Sequence, residues 1–595
     1  MLGEAALIRV RDALARHWRL VLVLVWLVAG AIALWLRWKA VVGFGLPDTD
    51  DNLRMAQVRA WLDGQGWYDL RQYRLNPPEG FDIHWTRVVD LPIAAIQRVA
   101  RPLFGGVIAE KASAALAPLI PLGVVLAAMA ITVRRLVAPA AYVIATALLF
   151  LSCNAAMLMF MPLRVDHHGW QLAMLVITLA GLADPKAWRG GLTMGVSSAI
   201  SLAIGLELIP FLVLGGAAIV LRWVWDRDEA DRLLGYGLAL AIGVALGFAL
   251  FTSEASAIAR CDALSLVWTP VMIAVGVLVA ALSLVRDERW AVRLAVASAA
   301  GLVLAAGFAL FAPQCLGRPE QISAELVKTW FGNVREAKPL YQQSLATALT
   351  TVTLPVIGVI GSVLAARQAW GSRKFAVWAA VALVAIVSLA LVTWQTRQGP
   401  AAQLMAIPGA TWLIWTAIGW IVQLRSLPLR LGAMAAALAI LSGVGVSAAI
   451  RQLPAKPQKP WQRAVTRANA LCPTLWAMRP FSQLPPATVF TFVDLGPRLV
   501  NVTHHNAIAG PYHRNGKAIL DVHHAFGGSP EEARAIMQRH GATLLMICPN
   551  MSEATVHRAR HPRGFYARLV RGERFEWLTP VALPRDRPLR AWVIR

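Results

Sequence analysis

Long apolar runs recur through the first 449 residues of this 595-residue chain. A transmembrane helix needs roughly 20 apolar residues to cross the hydrocarbon core of a bilayer, and about thirteen runs reach or approach that length. They lie near 19–40, 113–132, 137–160, 170–183, 190–208, 209–223, 233–253, 265–284, 290–312, 346–366, 374–393, 402–423 and 429–449. The pattern predicts a polytopic α-helical membrane protein.

Basic residues mark one side of these runs. The connections after the even-numbered runs all carry Arg or Lys, as in "RRL" at 134–136, "WDRDEADR" at 225–232 and "RQAWGSRK" at 367–374. Cytoplasmic loops of membrane proteins are enriched in these residues. No small-residue cleavage site follows the first run, so we expect the N-terminus to be a retained cytoplasmic segment. These features predict a multi-pass protein of the cytoplasmic (inner) membrane.

The long connections then fall on the outer side, and the last of them changes in composition. Within 450–595, "ATVFTFVDLG", "KAILDVHHAF" and "ATLLMICPN" are predicted as short strands, and "SPEEARAIMQRHG" as a capped helix closed by Gly541. We therefore predict two domains. The first is a membrane domain, 1–449, with outer loops 41–112 and 313–345, and the second is a small extracytoplasmic α/β domain, 450–595.

Composition and charge support the membrane interpretation. The chain is 57% hydrophobic with a mean hydropathy of +0.55, and its formal net charge is +24. The basic residues are spread over short loops and both termini, which indicates orientation in the membrane and attraction to anionic lipid. No nucleic-acid partner is expected.

The cysteines fit the same sidedness. Cys153 lies inside a predicted span, whereas Cys261, Cys315, Cys472 and Cys548 lie on the predicted outer side, which is oxidising in a bacterial-type cell. Four cysteines allow three pairings. Cys261 with Cys315 and Cys472 with Cys548 are favoured because each pair lies within one region, and free buried thiols are the alternative.

The first candidate site is an acidic cluster directly after the first run. "PDTDDNLR" contains Asp48, Asp50 and Asp51. Clustered carboxylates repel one another unless a cation or an arginine neutralises them, and hard divalent ions such as Mg²⁺ or Mn²⁺ select oxygen ligands. The alternative is that the aspartates cap the following helix, whose dipole favours negative charge at its N-terminus.

Two further polar elements lie on the same side. "RVDHHGW" places Asp166, His167 and His168 between two apolar runs, where a carboxylate and imidazoles would be acceptable to Mn²⁺. The alternative is a polar turn at the membrane surface. In loop 313–345, "NVREAKP" contains Glu336, which alone would be an ordinary surface glutamate. The combination of the three elements indicates a site.

With these motifs the chain resembles the catalytic subunit of oligosaccharyltransferase, within the GT-C class of membrane glycosyltransferases, and especially the archaeal single-subunit enzymes. "DTDDNLR" has the family's Asp followed six residues later by Arg, at Asp48 and Arg54, and "RVDHHGW" has the archaeal Asp-His-His. "NVREAKP" resembles the fifth-loop Thr-Ile-x-Glu motif and its following Pro at Glu336 and Pro339, with Asn333 in place of Thr. "NPPEGFDIHWTRVVDLP" resembles the family's Pro-x-Gly, Trp and Asp-containing stretch.

The resemblance implies a GT-C fold of thirteen spans and a divalent cation, Mn or Mg, as cofactor. A sugar carried on a polyprenyl phosphate or pyrophosphate leaves as an anion, so the site needs a cation beside the departing oxygen and a carboxylate near the acceptor. The expected metal ligands are Asp48, Asp166, His168 and Glu336, and the expected catalytic residues are Asp48, Asp51, Asp166 and Glu336. The sequence does not decide which of the three neighbouring aspartates binds metal and which holds the acceptor.

Substrate contacts are expected from residues of both predicted domains. The planar fork of Arg514 suits an oxyanion, and Trp85 could stack on a sugar, although anchoring at the bilayer interface is the alternative for the aromatic residues. Zinc binding by the histidines between 504 and 524 is a weaker alternative because their spacing matches no structural zinc pattern. The expected substrate-binding residues are Asp50, Arg54, Trp85, Asp494, His513 and Arg514.

The last domain departs from the family pattern. Oligosaccharyltransferases carry Trp-Trp-Asp-Tyr-Gly there, and the Trp-Trp-Asp part recognises Ser or Thr of the acceptor sequon. This chain has "TFVDLG", in which Asp494 and Gly496 remain while Phe492 and Val493 replace both tryptophans. The indole donors for an acceptor hydroxyl are thereby lost. An envelope lipid or glycan is the expected acceptor, and protein asparagine is the alternative.

We therefore expect an integral-membrane glycosyltransferase that uses a polyprenyl-linked sugar donor at the outer face of the membrane. The alternative from another class is a transporter or flippase of lipid-linked sugars. Transporters usually place their key polar groups at mid-membrane in interrupted helices, often in repeated halves. This sequence shows no internal repeat, and its acidic motifs lie in outer loops.

Overall fold

Apolar sequence becomes helix throughout the membrane part, because a helix satisfies its own backbone hydrogen bonds where no water is available. The computed structural model describes residues 2–452 and 457–595. Its helices up to residue 452 are α1 Leu2–Arg16, α2 Trp18–Val42, α3 Thr49–Leu62, α4 Asp90–Phe104, α5 Gly106–Leu116, α6 Leu119–Leu136, α7 Tyr142–Ser152, α8 Asn154–Leu158, α9 His168–Leu182, α10 Ala187–Ile204, α11 Ile209–Trp225, α12 Ala230–Phe251, α13 Trp268–Leu282, α14 Trp290–Phe311, α15 Ala324–Thr329, α16 Leu345–Gln368, α17 Phe375–Trp394, α18 Gly399–Ile421, α19 Leu427–Leu441 and α20 Val444–Gln452.

Seven helical segments of the described chain are long and apolar enough to cross a membrane. An eighth is added if α19 and α20, which meet at a bend of 80°, form one span. Helices α7, α9, α11 and α13 are apolar but shorter. The predicted polytopic helical fold is confirmed, whereas the count of thirteen spans stays a prediction. The seven long segments are Trp18–Val42, Gly106–Leu136, Arg227–Phe251, Trp290–Phe311, Leu345–Gln368, Phe375–Trp394 and Thr396–Ile421.

One predicted run is broken in its interior. The run 137–160 divides at Cys153, where α7 ends and α8 begins. The start of α8 would leave backbone N–H groups without partners. The side-chain oxygen of Gln403, on α18, accepts hydrogen bonds from the N–H groups of Ala155 at 3.0 Å and Ala156 at 3.2 Å. A neighbouring helix therefore stabilises the break.

Small residues allow the membrane helices to approach closely. On α16 and α18, a Cβ added to Gly361 would overlap the carbonyl of Gly409, and a Cβ added to Gly409 would overlap the carbonyl of Gly358. Between membrane helices there is little hydrophobic driving force, so close backbone contact supplies the van der Waals attraction that holds them together.

The C-terminal part forms a sheet domain. Its strands are β3 Thr488–Phe490, β4 Asn506–Ala507, β5 Leu544–Ile547, β6 Leu578–Pro580 and β7 Arg590–Ile594, in the order β4-β3-β5-β7-β6. β3 pairs in parallel with β4 and β5, with Val489 opposite Leu544, whereas β7 is antiparallel to β5 and β6. The helices are α21 Pro460–Leu471, α22 Leu475–Met478, α23 Gly496–Val502, α24 Gly516–Gly527, α25 Pro530–Arg539, α26 Ser552–Arg560 and α27 Phe565–Val570.

Two of the three predicted strands are correct, and the third is wrong. "ATVFTFVDLG" contains β3 and "ATLLMICPN" contains β5, but "KAILDVHHAF" forms α24. Its buried residues Ala518, Ile519, Val522, Ala525 and Phe526 recur with helical spacing. The capped helix α25 is confirmed: the Ser529 side chain accepts from the N–H of Glu532, and Gly541 follows with φ +60°.

The loop 41–112, predicted as the first outer loop, shares one hydrophobic core with the sheet domain. Strands β1 Arg71–Gln72 and β2 Phe81–Asp82 form an antiparallel pair in this loop. Loop residues such as Leu53 and Leu75 pack in the same cluster as the sheet residues Val489 and Phe490. The Tyr512 hydroxyl also donates to the Thr49 carbonyl at 2.9 Å. The loop therefore connects the membrane helices rigidly to the sheet domain.

Both favoured disulfides are present. Cys261 is bonded to Cys315, and Cys472 is bonded to Cys548. Cys153 is a buried free thiol, as its predicted place inside a span implied. The alternative of free buried thiols is wrong for these four cysteines, because each of them is bonded to its favoured partner.

Candidate active site

A cavity of about 1030 Å³ lies between the membrane helices and the sheet domain. Segments from the first outer loop, the turn before α9, the α10–α11 join, the loop 313–345 and the sheet domain all contribute to its walls. Its titratable lining residues include Asp48, Asp50, His84, Arg164, His167, His168, Glu207, Asp262, Glu320, Arg335, Glu336, Arg397, Asp494, Tyr512, His513, His523 and Glu553. The three acidic elements found in the sequence therefore approach a common space.

The aspartates after the first span cap a helix and also face the cavity. Asp48 is the N-cap of α3 and accepts a hydrogen bond from the N–H of Thr49 at 2.6 Å. Asp50 and Asp51 occupy the first turn, where the helix dipole favours negative charge. Asp48 and Asp50 line the cavity, whereas Asp51 is fully buried behind it. The two interpretations of this cluster are compatible.

Arg164 connects these aspartates to the turn before α9. Its Nη1 lies 2.6 Å from Asp48 Oδ2 and 3.3 Å from Asp51 Oδ2, and its Nη2 lies 3.0 Å from Asp166 Oδ2. Asp51 Oδ1 also accepts from the N–H of Asp166 at 3.0 Å. Arg164 thus partly neutralises Asp48 and Asp51, two of the three aspartates for which the sequence predicts a cation or an arginine, and it also pairs with Asp166.

The pKa values of these carboxylates shift in different directions. Burial raises the pKa of Asp51 to about 8 although Arg164 opposes the shift. Burial also raises the pKa of Asp50 well above its usual range, and the charges of Asp48 and Asp166 add to that. For Asp48 burial is outweighed by the contact with Arg164, and its pKa is lowered. Asp48 therefore carries charge at neutral pH.

The Asp-His-His turn directs its two imidazoles to different places. His168, the first residue of α9, is 30% exposed to the cavity, and its Nε2 lies 3.6 Å from Asp166 Oδ2. His167 is buried, with Nδ1 2.6 Å from Asp166 Oδ1 and Nε2 3.1 Å from Glu207 Oε1. Burial would lower the pKa of His167, but Asp166 and Glu207 raise it to about 10.

A divalent cation fits part of the predicted ligand set. Asp166 and His168, both in that set, each bring a ligand atom within 4.8 Å of the other, and Asp48 faces the same cavity. Carboxylate and imidazole are donors that Mn²⁺ accepts. Glu336 lines the cavity but is exposed, and its carbonyl accepts from the N–H of Arg397 at 3.0 Å. The structure therefore brings Asp166 and His168 together and does not include Glu336 in that group.

Arg54 and Trp85, expected among the substrate contacts, lie beneath the cavity wall. The side chain of each is about 1% exposed or less, and neither lines the cavity. Arg54 donates to Asp90 Oδ1 at 2.7 Å and packs over the Trp85 ring, whose indole N–H donates to Gln57 at 2.8 Å. Burial leaves them no direct access to substrate, and they support the wall.

His513 and Arg514 of the sheet domain are both held by Asp262. Arg514 donates through Nε at 2.7 Å and Nη2 at 2.8 Å to the two carboxylate oxygens, and His513 Nε2 lies 2.6 Å from Oδ2. Burial is outweighed by these bonds, and the pKa of Asp262 is lowered far below its usual range. His513 lines the cavity, whereas Arg514 lies outside the lining set with its guanidinium already paired. Arg514 therefore positions the wall.

Sequence reasoning missed Glu207, His84 and Asp262. Glu207 accepts from Gln171 Nε2 at 2.7 Å and lies 3.4 Å from His84 Nε2. A carboxylate inside the apolar segment "LAIGLELIPF" is costly unless it is paired, and this signal could have identified it. No comparable signal marked His84 or Asp262, which belong to polar outer loops.

The sheet-domain wall differs from the family pattern in its composition. Phe492 and Val493 are buried in the domain core, where Phe492 packs against Phe526 and Tyr566. Asp494 faces the cavity beside Glu553, which accepts the N–H groups of Val493 at 2.9 Å and Asp494 at 3.0 Å. Phe492 and Val493, which stand where oligosaccharyltransferases have two tryptophans, therefore contribute nothing to the cavity surface.

Comparison with solved structures identifies the fold. No protein-family model and no curated protein matches the sequence. The archaeal oligosaccharyltransferase AglB from Archaeoglobus fulgidus, in complex with an inhibitory peptide and a dolichol-phosphate, matches with a TM-score of 0.67 at 16% identity, over 92% of this chain and 72% of that one. The Archaeoglobus fulgidus oligosaccharyltransferase in complex with Zn and sulfate matches with a TM-score of 0.61 at 15% identity, over 90% and 70% of the two chains. The chain thus has an oligosaccharyltransferase-like fold of the GT-C class, as its motifs indicated.

Proposed function

We propose that the protein is a membrane glycosyltransferase that moves a sugar or oligosaccharide from a polyprenyl-phosphate or pyrophosphate donor to an acceptor. The observation that carries this proposal is the cavity at the junction of the two regions, where a cluster of carboxylates and imidazoles faces two sheet-domain carboxylates. A transfer reaction needs one group of residues that stabilises the leaving phosphate and another that holds the acceptor, and the two sides of this cavity can supply them. The dolichol-phosphate bound to the structurally similar AglB supports a lipid-borne donor.

In this proposal the sheet domain lies outside the cytoplasmic membrane and the N-terminus inside. The predicted division at residues 449 and 450, with outer loops 41–112 and 313–345, goes with this topology. The distribution of Arg and Lys supports it. The two disulfides also support it, because disulfides persist in oxidising compartments and all four cysteines lie on the proposed outer side.

Asp48, Asp166 and His168 would hold a divalent cation, with Glu336 approaching from the loop 313–345. When bound, the cation supplies positive charge beside the departing phosphate oxygen. Arg164 holds the carboxylates of Asp48 and Asp166 in place, and the α3 N-terminus orients Asp48. Zinc in the similar oligosaccharyltransferase structure supports a metal in this fold. The choice between Mn and Mg belongs to the proposal.

The acceptor is proposed to be a polyhydroxylated envelope lipid or glycan. Asp494 and Glu553 present carboxylates to the cavity, and carboxylates accept hydrogen bonds from sugar hydroxyls. Phe492 has no hydrogen-bond donor, and its burial removes it from any acceptor. An enzyme can select a sequon by a hydrogen bond from the protein to the Ser or Thr hydroxyl, and it loses that selectivity when the hydrogen-bonding group is absent. Preference for a sequon is therefore expected to be weak.

The test is a transfer assay with the purified full chain in lipid nanodiscs. Radiolabelled lipid-linked sugars, extracted from cells that make the protein, are offered together with an envelope lipid and glycan extract, a sequon peptide or its Ala-substituted control. The label should move to the envelope extract and to neither peptide. Robust transfer to the sequon peptide alone would instead establish oligosaccharyltransferase activity. Movement of intact donor across a vesicle bilayer without transfer would establish a flippase.

A further inference from the structure

A second group of metal-ligand side chains lies next to the proposed cation site. His84 follows β2, His167 precedes α9, and Glu207 lies at the join between α10 and α11. Their ligand atoms all lie within 4.8 Å of one another. His84 Nε2 lies 3.4 Å and His167 Nε2 lies 3.1 Å from the same oxygen, Glu207 Oε1. Three separate segments of the chain thus each place one potential ligand atom in the same small space.

The two separations to Glu207 Oε1 are close to those between ligand atoms in a zinc coordination sphere. Zinc binds imidazole nitrogen and carboxylate oxygen at about 2.0–2.2 Å in a tetrahedron, so neighbouring ligand atoms lie roughly 3.3–3.5 Å apart. The two measured separations fall at or near that range. Two histidines and one glutamate form a known three-ligand set for zinc sites that keep one position open. His84 and Glu207 are 18% and 19% exposed and line the cavity, so the fourth position faces it.

Each of two ligands is oriented by a further partner. Asp166 Oδ1 lies 2.6 Å from His167 Nδ1, which directs Nε2 of that ring toward Glu207. Gln171 Nε2 donates to Glu207 Oε2 at 2.7 Å, which leaves Oε1 toward the histidines. Carboxylate–histidine and amide–carboxylate contacts of this kind fix the orientation of metal ligands in proteins.

The backbone also makes room for the glutamate. Gly205 precedes it by two residues, and a Cβ added at Gly205 would overlap Glu207 Oε2. The carboxylate lies close against the chain at this point, so a side chain at position 205 would displace Glu207 Oε2 from its present place. Gly205 therefore leaves room for the one charged residue of this apolar segment.

We propose that His84, His167 and Glu207 bind a zinc-type divalent transition metal, separate from the cation assigned to Asp48, Asp166 and His168. The site deepens the proposed function, because its open position would take an anionic oxygen of a substrate in the cavity. Metal occupancy itself does not require that function. Imidazole-rich ligands favour zinc over Mg²⁺, so the two sites should differ in metal preference.

The test measures metal binding rather than transfer. Purified full-length protein is stripped with a chelator and dialysed against Co²⁺ or Zn²⁺, and bound metal is counted by mass spectrometry. Tetrahedral Co²⁺ is followed by its visible absorption. The variants are His84→Gln and Glu207→Gln for the new site and His168→Gln for the first site. The matched control is His504→Gln, which removes an exposed histidine outside the cavity.

Wild type, His168→Gln and His504→Gln should show the tetrahedral cobalt signal, and His84→Gln and Glu207→Gln should lose it. Zinc affinity should fall at least about 10-fold in both, since even the partners that only orient a metal ligand contribute about 10–100-fold. Gly205→Ala should weaken binding as well. Size-exclusion profiles and unfolding temperatures show whether the variants fold. His84 and Glu207 lie in different segments of the chain, so loss of the cobalt signal in both variants would not come from one local distortion.

An unchanged zinc count and cobalt spectrum in folded His84→Gln and Glu207→Gln would overturn the proposal. So would a wild-type protein whose only bound metal is lost in His168→Gln. Sugar transfer without metal at this site would leave the proposed function standing, whereas zinc bound there without any transfer would refute only the proposed function.

Discussion

The two walls of the cavity contrast in how they hold acidic groups. The wall that we propose to face the donor, called the donor-side wall, is formed by Asp48, Arg164 and His168 with the buried Asp166 behind them, and there one arginine pairs with several carboxylates. The wall that we propose to face the acceptor, called the acceptor-side wall, consists of Asp494, Glu553 and His523, and there the Glu553 carboxylate accepts two backbone N–H groups. On the donor-side wall, the acidic side chains are held in place by the opposite charge of Arg164. On the acceptor-side wall, Glu553 is held by backbone N–H groups and therefore depends on the local backbone conformation. Substitutions should therefore affect the two walls in different ways.

The largest expected effect concerns the buried ion pair beneath the donor-side wall. Arg54→Met leaves the fully buried Asp90 without its 2.7 Å partner, although Arg87 remains 3.5 Å away. Removal of one partner of a buried pair costs about 3–5 kcal/mol. The matched control Arg71→Met breaks the more exposed pair with Asp82 and should cost about 0.2–1 kcal/mol. Equal unfolding temperatures for the two variants in detergent would contradict the buried role of Arg54.

The next effect is on transfer. Asp166→Asn keeps the shape of the side chain but removes its charge from the donor-side wall, and the transfer rate should fall about 10²–10³-fold. Asp63→Asn is the control, since Asp63 is an exposed carboxylate of the same outer loop. A strong chelator should reduce wild-type activity comparably. Activity of Asp166→Asn within a few-fold of wild type, or insensitivity to the chelator, would remove the cation from the mechanism.

A smaller effect is expected on the acceptor-side wall. Glu553→Gln exchanges one accepting oxygen for an NH₂ group, so it cannot accept from both Val493 and Asp494. Loss of a buried hydrogen-bond acceptor costs about 1–3 kcal/mol. The KM for the substrate that receives the sugar should therefore rise about tenfold or more, while the KM for the sugar donor stays constant. Glu576→Gln, an exposed glutamate of the same domain, should change neither. Parallel changes in both constants would show that Glu553 supports the whole cavity.

The smallest effect is a pH dependence of stability, because the Asp494 side chain is open to solvent in the cavity and solvent screens the interactions of exposed charges. Enclosure in the cavity and the neighbouring Glu553 raise the pKa of Asp494 to about 7. In the unfolded chain this carboxyl loses its proton near pH 3.9, so between about pH 4 and 7 rising pH favours unfolding. Asp494→Asn should therefore unfold at the wild-type temperature below pH 4 and at a progressively higher relative temperature up to pH 7. A constant difference across this range would show that Asp494 does not titrate in this way.

The amino-acid sequence determined the fold class and much of the donor-side wall. Apolar runs near the thickness of a bilayer can only become membrane helices, because unpaired backbone groups are too costly there. The acids of "DTDDNLR" and "RVDHHGW" are separated in the chain by more than a hundred residues, yet both lie beside an apolar run on the same predicted side. That shared side, together with the resemblance of both motifs to those of oligosaccharyltransferases, predicted that Asp48 and Asp166 belong to one site.

Tertiary structure alone decided which neighbours these residues have. Arg164 could not be chosen as the partner of the aspartates, because their contact depends on how α3 packs against the turn before α9. Trp85 was expected at the surface of the site and became a buried support, since burial depends on the sheet domain that covers the first outer loop. The strand expected within residues 516–527 is a different case, because its apolar residues already recur with helical spacing in the sequence. Glu207 joined His84 and His167 through the tertiary structure alone: side chains distant in the chain meet only when the whole fold has closed.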